Sequence, residues 1–239
     1  MPRKSPRLSL SREQILGFRR EAGSLNERLP ASAKSLRLAA WAGLQDSMPR
    51  AALLSIHARV KECDPNCWEH PSLVQLWGPR FNNYVVAARD LPMFSLGRLP
   101  HDARRRARAH DLASRLHTFL DGRRMPADDE AAFRQPFSSK AAPAARLLPS
   151  GDAYYLLWDA DREILVPDAK RRTELWTTRV WPGAVLVNGE IVGVWRRSTG
   201  EVSIDTWRRL LPAEWEAIEA EALALPLPGL DGRITIHRS

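Results

Sequence analysis

The chain has 239 residues, 44% of them hydrophobic, enough to bury the core of one or two domains, which excludes a disordered polyampholyte. Its formal charge of +8 and pI near 10.2 favour an acidic partner such as nucleic acid. Two cysteines are too few for a disulfide scaffold, no run approaches the ~18 apolar residues of a membrane span, and the basic N-terminus has no apolar core behind it, so the chain reads as cytoplasmic.

The charge is unevenly spread. Residues 1–125 hold 22 Lys/Arg against 11 Asp/Glu, and residues 126–239 hold 14 against 17. The basic surface is therefore expected on the N-terminal half.

Residues 1–10 read as a basic arm. Ser11 with Gln14 makes a capping box, and Ile15 and Phe18 supply the apolar face of a helix to about Ala22. Ser32 to Leu44 reads as a second helix with Leu36, Ala39, Ala40 and Gly43 on one side. Pro49 suits the first turn of a third, which runs through Leu53, Leu54, Ile56 and Val60 until Asp64-Pro65-Asn66 breaks it. Ser72 to Leu76 is expected to be a short helix and Tyr84 to Ala87 a strand. Residues 101–120 carry a long amphipathic pattern, with Leu112, Leu116, Phe119 and Leu120 inside and an arginine cluster outside.

Residues 123–150 are rich in Pro, Ala, Ser and charge and read as a linker. Beyond it, Tyr154–Trp158 and Glu163–Val166 flank Asp159-Ala160-Asp161 as an expected hairpin. Asn188-Gly189 between two apolar runs is the strongest hairpin signal in the chain. Val202–Ile204 continues the sheet. Leu211-Pro212 opens an acidic helix with Trp215, Ile218 and Leu223 on its buried face, and Arg233–His237 is a last strand. The expected organisation is an α+β protein: a helical, winged-helix-like unit over 11–122, the linker, and a mostly β unit over 151–239 carrying one helix.

Within the first unit, Gln45-Asp46-Ser47 sits where one helix hands over to the next. Polar side chains there either cap the following helix or, beside outward-pointing N–H groups, hold a phosphate or a water. Arg50, Arg59, Arg80 and Arg89 read either as phosphate contacts that orient a domain on a nucleic-acid backbone or as a solvated face. Arg80, after Gly78-Pro79 and before a strand, fits the first reading best. Arg196 and Arg197 end a hairpin strand after Trp195, where a basic hairpin can enter a minor groove. Cys63, Cys67, His57 and His70 fall within 14 residues, but Cys-x3-Cys is not a standard zinc spacing, and no metal is expected. Asp152, Asp159, Asp161 and Glu163 follow a glycine and read as carboxylates beside a substrate, as partners of arginines across the hairpin or, best, as turn chemistry.

Five segments in order resemble the winged-helix DNA-binding family that includes the AlkZ-like and YcaQ-like bacterial DNA glycosylases. They are Ala42 to Leu54, Leu76-Trp77-Gly78-Pro79-Arg80, Arg146 to Tyr155, Asp161-Arg162-Glu163 with Leu165-Val166-Pro167, and Val185 to Arg197. The resemblance spans most of residues 10–125 and 144–230. It implies binding to double-stranded DNA, in some members with excision of alkylated or crosslinked bases, a reaction that needs neither metal nor cofactor. Glycosylases of this family carry Gln-x-Gln or Gln-x-Asp at the catalytic turn. Here Gln45 matches the first position, Ser47 falls on the second, and Asp46 lies one residue off. Serine cannot act as a carboxylate base. The chain is also short between Met125 and Ala145, where a full-length relative has a further winged-helix domain. The resemblance implies a glycosylase in which Gln45 positions water with Ser47 or Asp46 assisting, or else a non-catalytic winged-helix module that binds DNA or regulates transcription. Oligomeric state is not legible.

Overall fold

The computed structural model describes residues 10–48, 50–78, 82–95, 102–104, 107–108, 111, 141–227 and 233–238. The capping box forms at the start of α1 (Arg12–Ala22): Gln14 N–H donates to Ser11 Oγ at 3.2 Å, and Ser11 N–H donates to Gln14 Oε1 at 2.8 Å. The residue that α1 buries fully is Leu16, with Ile15 and Phe18 only partly covered. This helix packs against the C-terminal unit. Leu16 and Leu25 join a core containing Tyr155, Leu165, Trp176 and Leu186. Arg12 pairs with Glu190 at 2.7 Å, Arg19 donates to the Tyr154 carbonyl, and Arg20 donates to the Gly189 carbonyl.

The second helix is shorter than its pattern predicts. Ser32 caps α2 (Ala33–Ala39), and Gly43 takes a left-handed φ of 75°. Leu44–Gln45 then form β1, paired with β3 (Asn83–Ala87). Next, α3 (Ala51–His57) begins after Arg50, whose φ is 64°, and not at Pro49, which lies outside the described residues. The expected helix over 72–76 is instead β2 (Leu73–Trp77), antiparallel to β3 from Leu73 opposite Ala87 to Trp77 opposite Asn83. Branched and aromatic side chains favour a pleated, half-buried surface, and pairing with β3 supplies the backbone partners that an isolated short helix lacks. The three strands lie in the order β1-β3-β2. Their inner face packs Leu73 and Val85 against Leu36, Ile56 and Val60. Cys63 and Cys67 are disulfide-bonded, a pairing that the low cysteine count did not predict. After a 3-10 turn at Ala88–Asp90 comes α4 (Leu91–Ser95).

Most of the expected long helix over 101–120 and of the linker over 123–150 lies outside the described residues. The last linker residues are not linker: Ala145–Leu148 form β4, an edge strand of the C-terminal sheet. The sheet continues through β5 (Gly183–Val187), β6 (Glu190–Ser198), β7 (Glu201–Thr206) and β8 (Thr235–Arg238). Its pairs are antiparallel except β7 with β8. The β5–β6 turn has φ of 50° at Asn188 and 86° at Gly189, the double left-handed turn that Asn-Gly favours.

Two expectations for this unit are corrected. The hairpin over 154–166 does not form: Asp161–Leu165 is α5 and Ala169–Leu175 is α6, so the described residues of the unit carry three helices rather than one. On α7 (Pro212–Leu223), Ile218 and Ala222 are buried, but Leu223 is 46% exposed and Glu221 is buried instead, paired with Arg28 at 2.6 Å. Helix α7 covers one sheet face over Val185, Trp195 and Ile204. The other face is covered by α1, Leu165 of α5 and Leu175 of α6. The described residues are thus mixed α+β with two sheets, and Leu54 of α3 reaches into the C-terminal core, locking the units together. Among the described residues, no helix is long and apolar enough to cross a membrane.

Candidate functional site

Extended backbone sends successive side chains to opposite sides. Gln45 and Ser47 share one side, and Gln45 Nε2 donates to Ser47 Oγ at 2.7 Å. Asp46 turns the other way. Its Oδ1 accepts from Ala52 N–H at 3.0 Å at the start of α3, and its Oδ2 accepts from Gln75 Nε2 at 3.2 Å. Asp46 thus ties the turn to the first turn of α3 and to β2.

Gln45 and Ser47 line a cavity of about 430 Å³ between the two units, with Gly151, Trp158, Arg179 and Trp181 opposite. A second cavity of about 360 Å³ shares Met48, Ser150, Val180 and Trp181 with it and adds Trp195, Arg196 and Arg197, so the two form one cleft. Among the described residues, no aspartate or glutamate lines either cavity, and Arg179, Arg196 and Arg197 do, a lining that suits a polyanion.

The wall facing Gln45 is built by a buried ion pair. Ser150-Gly151-Asp152 follows β4. The Asp152 side chain is fully buried. Arg59 Nη2 donates to its Oδ1 and Arg59 Nη1 to its Oδ2, each at 2.7 Å, and Ser55 Oγ donates to Oδ2 at 2.7 Å. Burial alone pushes the Asp152 carboxyl up, but the charge and hydrogen bonds of Arg59, with Ser55 and the Tyr154 N–H, outweigh it and hold the pKa below the ordinary value. Tyr155 Oη fixes the same turn, accepting from Gly151 N–H at 3.1 Å and reaching the carbonyls of Pro149 at 2.7 Å and Pro182 at 2.9 Å. Gly151 holds φ 74°, and a Cβ there would lie 3.0 Å from Gln45 Cδ. The Gln45 amide thus rests on a surface that only glycine leaves free.

The sequence-derived arginines separate. Arg59 is 2% exposed and committed to Asp152, so it cannot reach a phosphate, and that expectation is corrected. Its place at the end of α3 suggested a solvated face, but the C-terminal unit covers that end. Arg50 stacks over Trp68, 4.3 Å from the ring centre. Arg89 is largely exposed, 3.6 Å from Asp90 and away from the cleft. Arg80 lies outside the described residues. Arg196 and Arg197 line the cleft, the first exposed and the second half-buried, with the Arg197 pKa lowered by burial. Trp195 is core, its indole N–H donating to the Leu148 carbonyl at 2.8 Å.

Sequence reasoning missed Trp158, Arg179 and Trp181. The run Leu175-Trp176-Thr177-Thr178-Arg179-Val180-Trp181 carries the signal, aromatics around an arginine in a loop. Among the described residues, no three His, Cys, Asp or Glu side chains cluster as metal ligands.

A fold search finds likeness to the Streptomyces sahachiroi DNA glycosylase AlkZ, with a TM-score of 0.62 at 15% identity, over 97% of this chain and 100% of that one. No curated protein matches the sequence. The family model described as DNA glycosylase AlkZ-like matches residues 103–226, which include the Gly151, Trp158, Arg179 and Arg196 wall of the cleft. That match takes in just over half of the sequence, and the chain belongs to the AlkZ-like DNA glycosylase family.

Proposed function

We propose that this protein docks on double-stranded DNA and hydrolyses the N-glycosidic bond of an alkylated base, with Gln45 and Ser47 at the reacting sugar. The observation that carries the reading is the hydrogen-bonded Gln45–Ser47 pair lining a cleft whose described charged residues are all arginines. The chemistry follows from that composition. When the C1′–N9 bond of a purine alkylated at N7 breaks, the electron pair leaves with a base that already carries positive charge, so the base departs neutral without protonation. The sugar is left as an oxocarbenium ion, water adds to C1′, and its proton passes to solvent. Such a leaving group needs orientation of water and stabilisation of positive charge more than a strong base. Gln45 Oε1 accepts from that water, the Ser47 hydroxyl offers a second contact, and the bond from Gln45 Nε2 fixes the pair.

The N-terminal unit serves as a winged helix on this reading. The order α2, β1, α3, β2, β3 and the sheet order β1-β3-β2 support it. Arg179, Arg196 and Arg197 then grip the backbone beside the reacting nucleotide. Arg196→Ala is expected to weaken binding similarly on all sequences and to reduce the slope of log affinity against log salt by about 1. An unchanged slope removes Arg196 from the interface.

Single-turnover excision from a duplex containing one N7-methylguanine tests the reaction. Gln45→Ala is expected to lower the rate by about 100-fold or more while DNA affinity holds. A second reading, a DNA-binding module without chemistry, is favoured by the commitment of Asp46 to α3, which leaves the turn without a base. Salt-dependent binding with no base release from any alkylated duplex selects it.

A further inference from the structure

We infer that Asp46 is the positioning residue for Gln45 and Ser47: from the side away from the cleft, it clamps the turn that carries them. The inference rests on the proposed function for what Gln45 and Ser47 do at the sugar. The turn joins two short elements. Strand β1 is only Leu44–Gln45, and α3 does not begin until Ala51. Arg50 stands at the head of α3 with a left-handed φ of 64°, but its side chain makes no cap bond to the helix. Its guanidinium lies over Trp68 instead.

Asp46 ties this turn on three sides. Its N–H donates to the Asn83 carbonyl at 2.8 Å, which carries the contact of β1 with β3 one residue further. Its Oδ1 reaches past Ser47 to accept from Ala52 N–H at 3.0 Å, closing residues 46–52 into a ring. That ring contains the hydroxyl to which Gln45 Nε2 donates. Its Oδ2 accepts from Gln75 Nε2 at 3.2 Å, so β2, on the far side of β3, is tied in as well. A carboxylate at a helix start is further favoured by the helix dipole. With Asp46 directed to α3 and β2, the side chains before and after it face the cleft. Displacing a reacting group by about 1 Å can cost about 100-fold in rate, so a clamp on this turn acts on the reaction without touching the substrate.

The role calls for hydrogen bonds rather than for negative charge or a proton acceptor. Asparagine can meet it: its Oδ1 accepts from Ala52 N–H, and its Nδ2 donates to the Gln75 amide once that amide turns over. Alanine supplies neither bond. A base at this position gives a different ranking, with asparagine no better than alanine.

Two readouts of the full chain test this, one of them free of chemistry. In the side-chain amide NMR spectrum of the protein without DNA, the Gln45 signals are identified by their loss in Gln45→Ala. They are expected outside the cluster of solvated amides, because one proton is bonded to Ser47. Asp46→Ala should return them to that cluster, and Asp46→Asn should leave them near the wild-type position. In single-turnover excision from the N7-methylguanine duplex, Asp46→Ala is expected to lower the rate about 10- to 100-fold with DNA affinity held within about 2-fold. Asp46→Asn should recover most of that rate. Gln45 signals that stay in place in Asp46→Ala overturn the inference. So does an Asp46→Asn variant as slow as Asp46→Ala, which would make Asp46 a base. Should Asp46→Ala melt below the assay temperature, Gln75→Leu cuts the β2 tie alone, and unmoved Gln45 signals in it have the same meaning. Failure of the reaction is separable. With no base release from any alkylated duplex, the spectrum alone decides for or against the clamp. Gln45-dependent excision that Asp46→Ala leaves unchanged keeps the reaction and rejects the clamp.

Discussion

Replacing Arg59 by methionine is expected to lower the free energy of unfolding by about 3–5 kcal/mol, the range for breaking a buried pair by removing one partner. Arg59 and Asp152 are 2% and 0% exposed at their side chains. Asp152 Oδ1 also accepts from Tyr154 N–H at 2.9 Å. Without the guanidinium, the carboxylate keeps two neutral donors, Ser55 and Tyr154, and loses both charge-assisted bonds in a site that water does not enter. It must then be protonated or exposed. Replacing both partners, Arg59→Met with Asp152→Leu, removes the stranded charge and should recover part of the loss, although Ser55 Oγ and Tyr154 N–H each lose an acceptor. Urea melts of the two single variants and the double variant check this as a cycle. A loss below about 1 kcal/mol for Arg59→Met would show that the pair carries little weight. The pair also bears on the site, since Asp152 fixes the turn whose Gly151 supports the Gln45 amide. A variant that still folds should therefore release base more slowly than its DNA affinity suggests.

Which parts of this molecule are legible in the sequence depends on how local their causes are. The capping box at Ser11, the Asn188-Gly189 turn and the proline that opens α7 act within a few residues, and each stands where expected. The helix α6 was equally accessible: Asp168 caps it by accepting from Lys170 N–H at 2.7 Å, ahead of good helix formers. By contrast, β2 resembles a short helix until β3 supplies its partner, and β1 exists only because Leu44 meets Val85. The Gln45 turn is identified by family resemblance, yet the opposed directions of Asp46 and Ser47 follow only once β1 is extended. Trp158, Arg179 and Trp181 sit in irregular segments whose meeting with Gln45 depends on the packing of the whole chain.

Charge shows the same limit. The N-terminal excess of arginine overstates what can face DNA. Arg12, Arg19, Arg20, Arg28 and Arg59 are bonded to carbonyls or carboxylates, most of them in the C-terminal unit, so part of the positive charge acts as interlocking between units. Among the described residues, the arginines that line the cleft come from the half with net negative charge: Arg179, Arg196 and Arg197. Net charge by sequence half therefore does not say which described arginines line the cleft, because its walls come from both units.

The same interlocking makes stability sensitive to acid through His57. This residue ends α3, is 7% exposed, and its Nε2 has no hydrogen-bond partner among the described residues. Burial, with the positive charges of Arg28 and Arg146 adding to it, lowers its pKa from 6.5 to about 3. The folded state thus holds His57 neutral where the unfolded chain is protonated. Above pH 6.5 both states are neutral and the stability is complete. As pH falls from 6.5 towards 3, the unfolded state takes up a proton that the folded state refuses, and stability drops by about 2 kcal/mol at pH 5 and about 3 kcal/mol at pH 4. Asp152, with its lowered pKa, adds a loss of the same sign only at pH values below the usual carboxylate range. His57→Leu removes the titrating group while keeping an apolar side chain in the site. Between pH 7.5 and 4.5 the unfolding free energy of the wild type is expected to fall by about 2.6 kcal/mol relative to that of His57→Leu. Parallel curves would mean that His57 takes its proton inside the fold and that Arg28 and Arg146 move aside to let it.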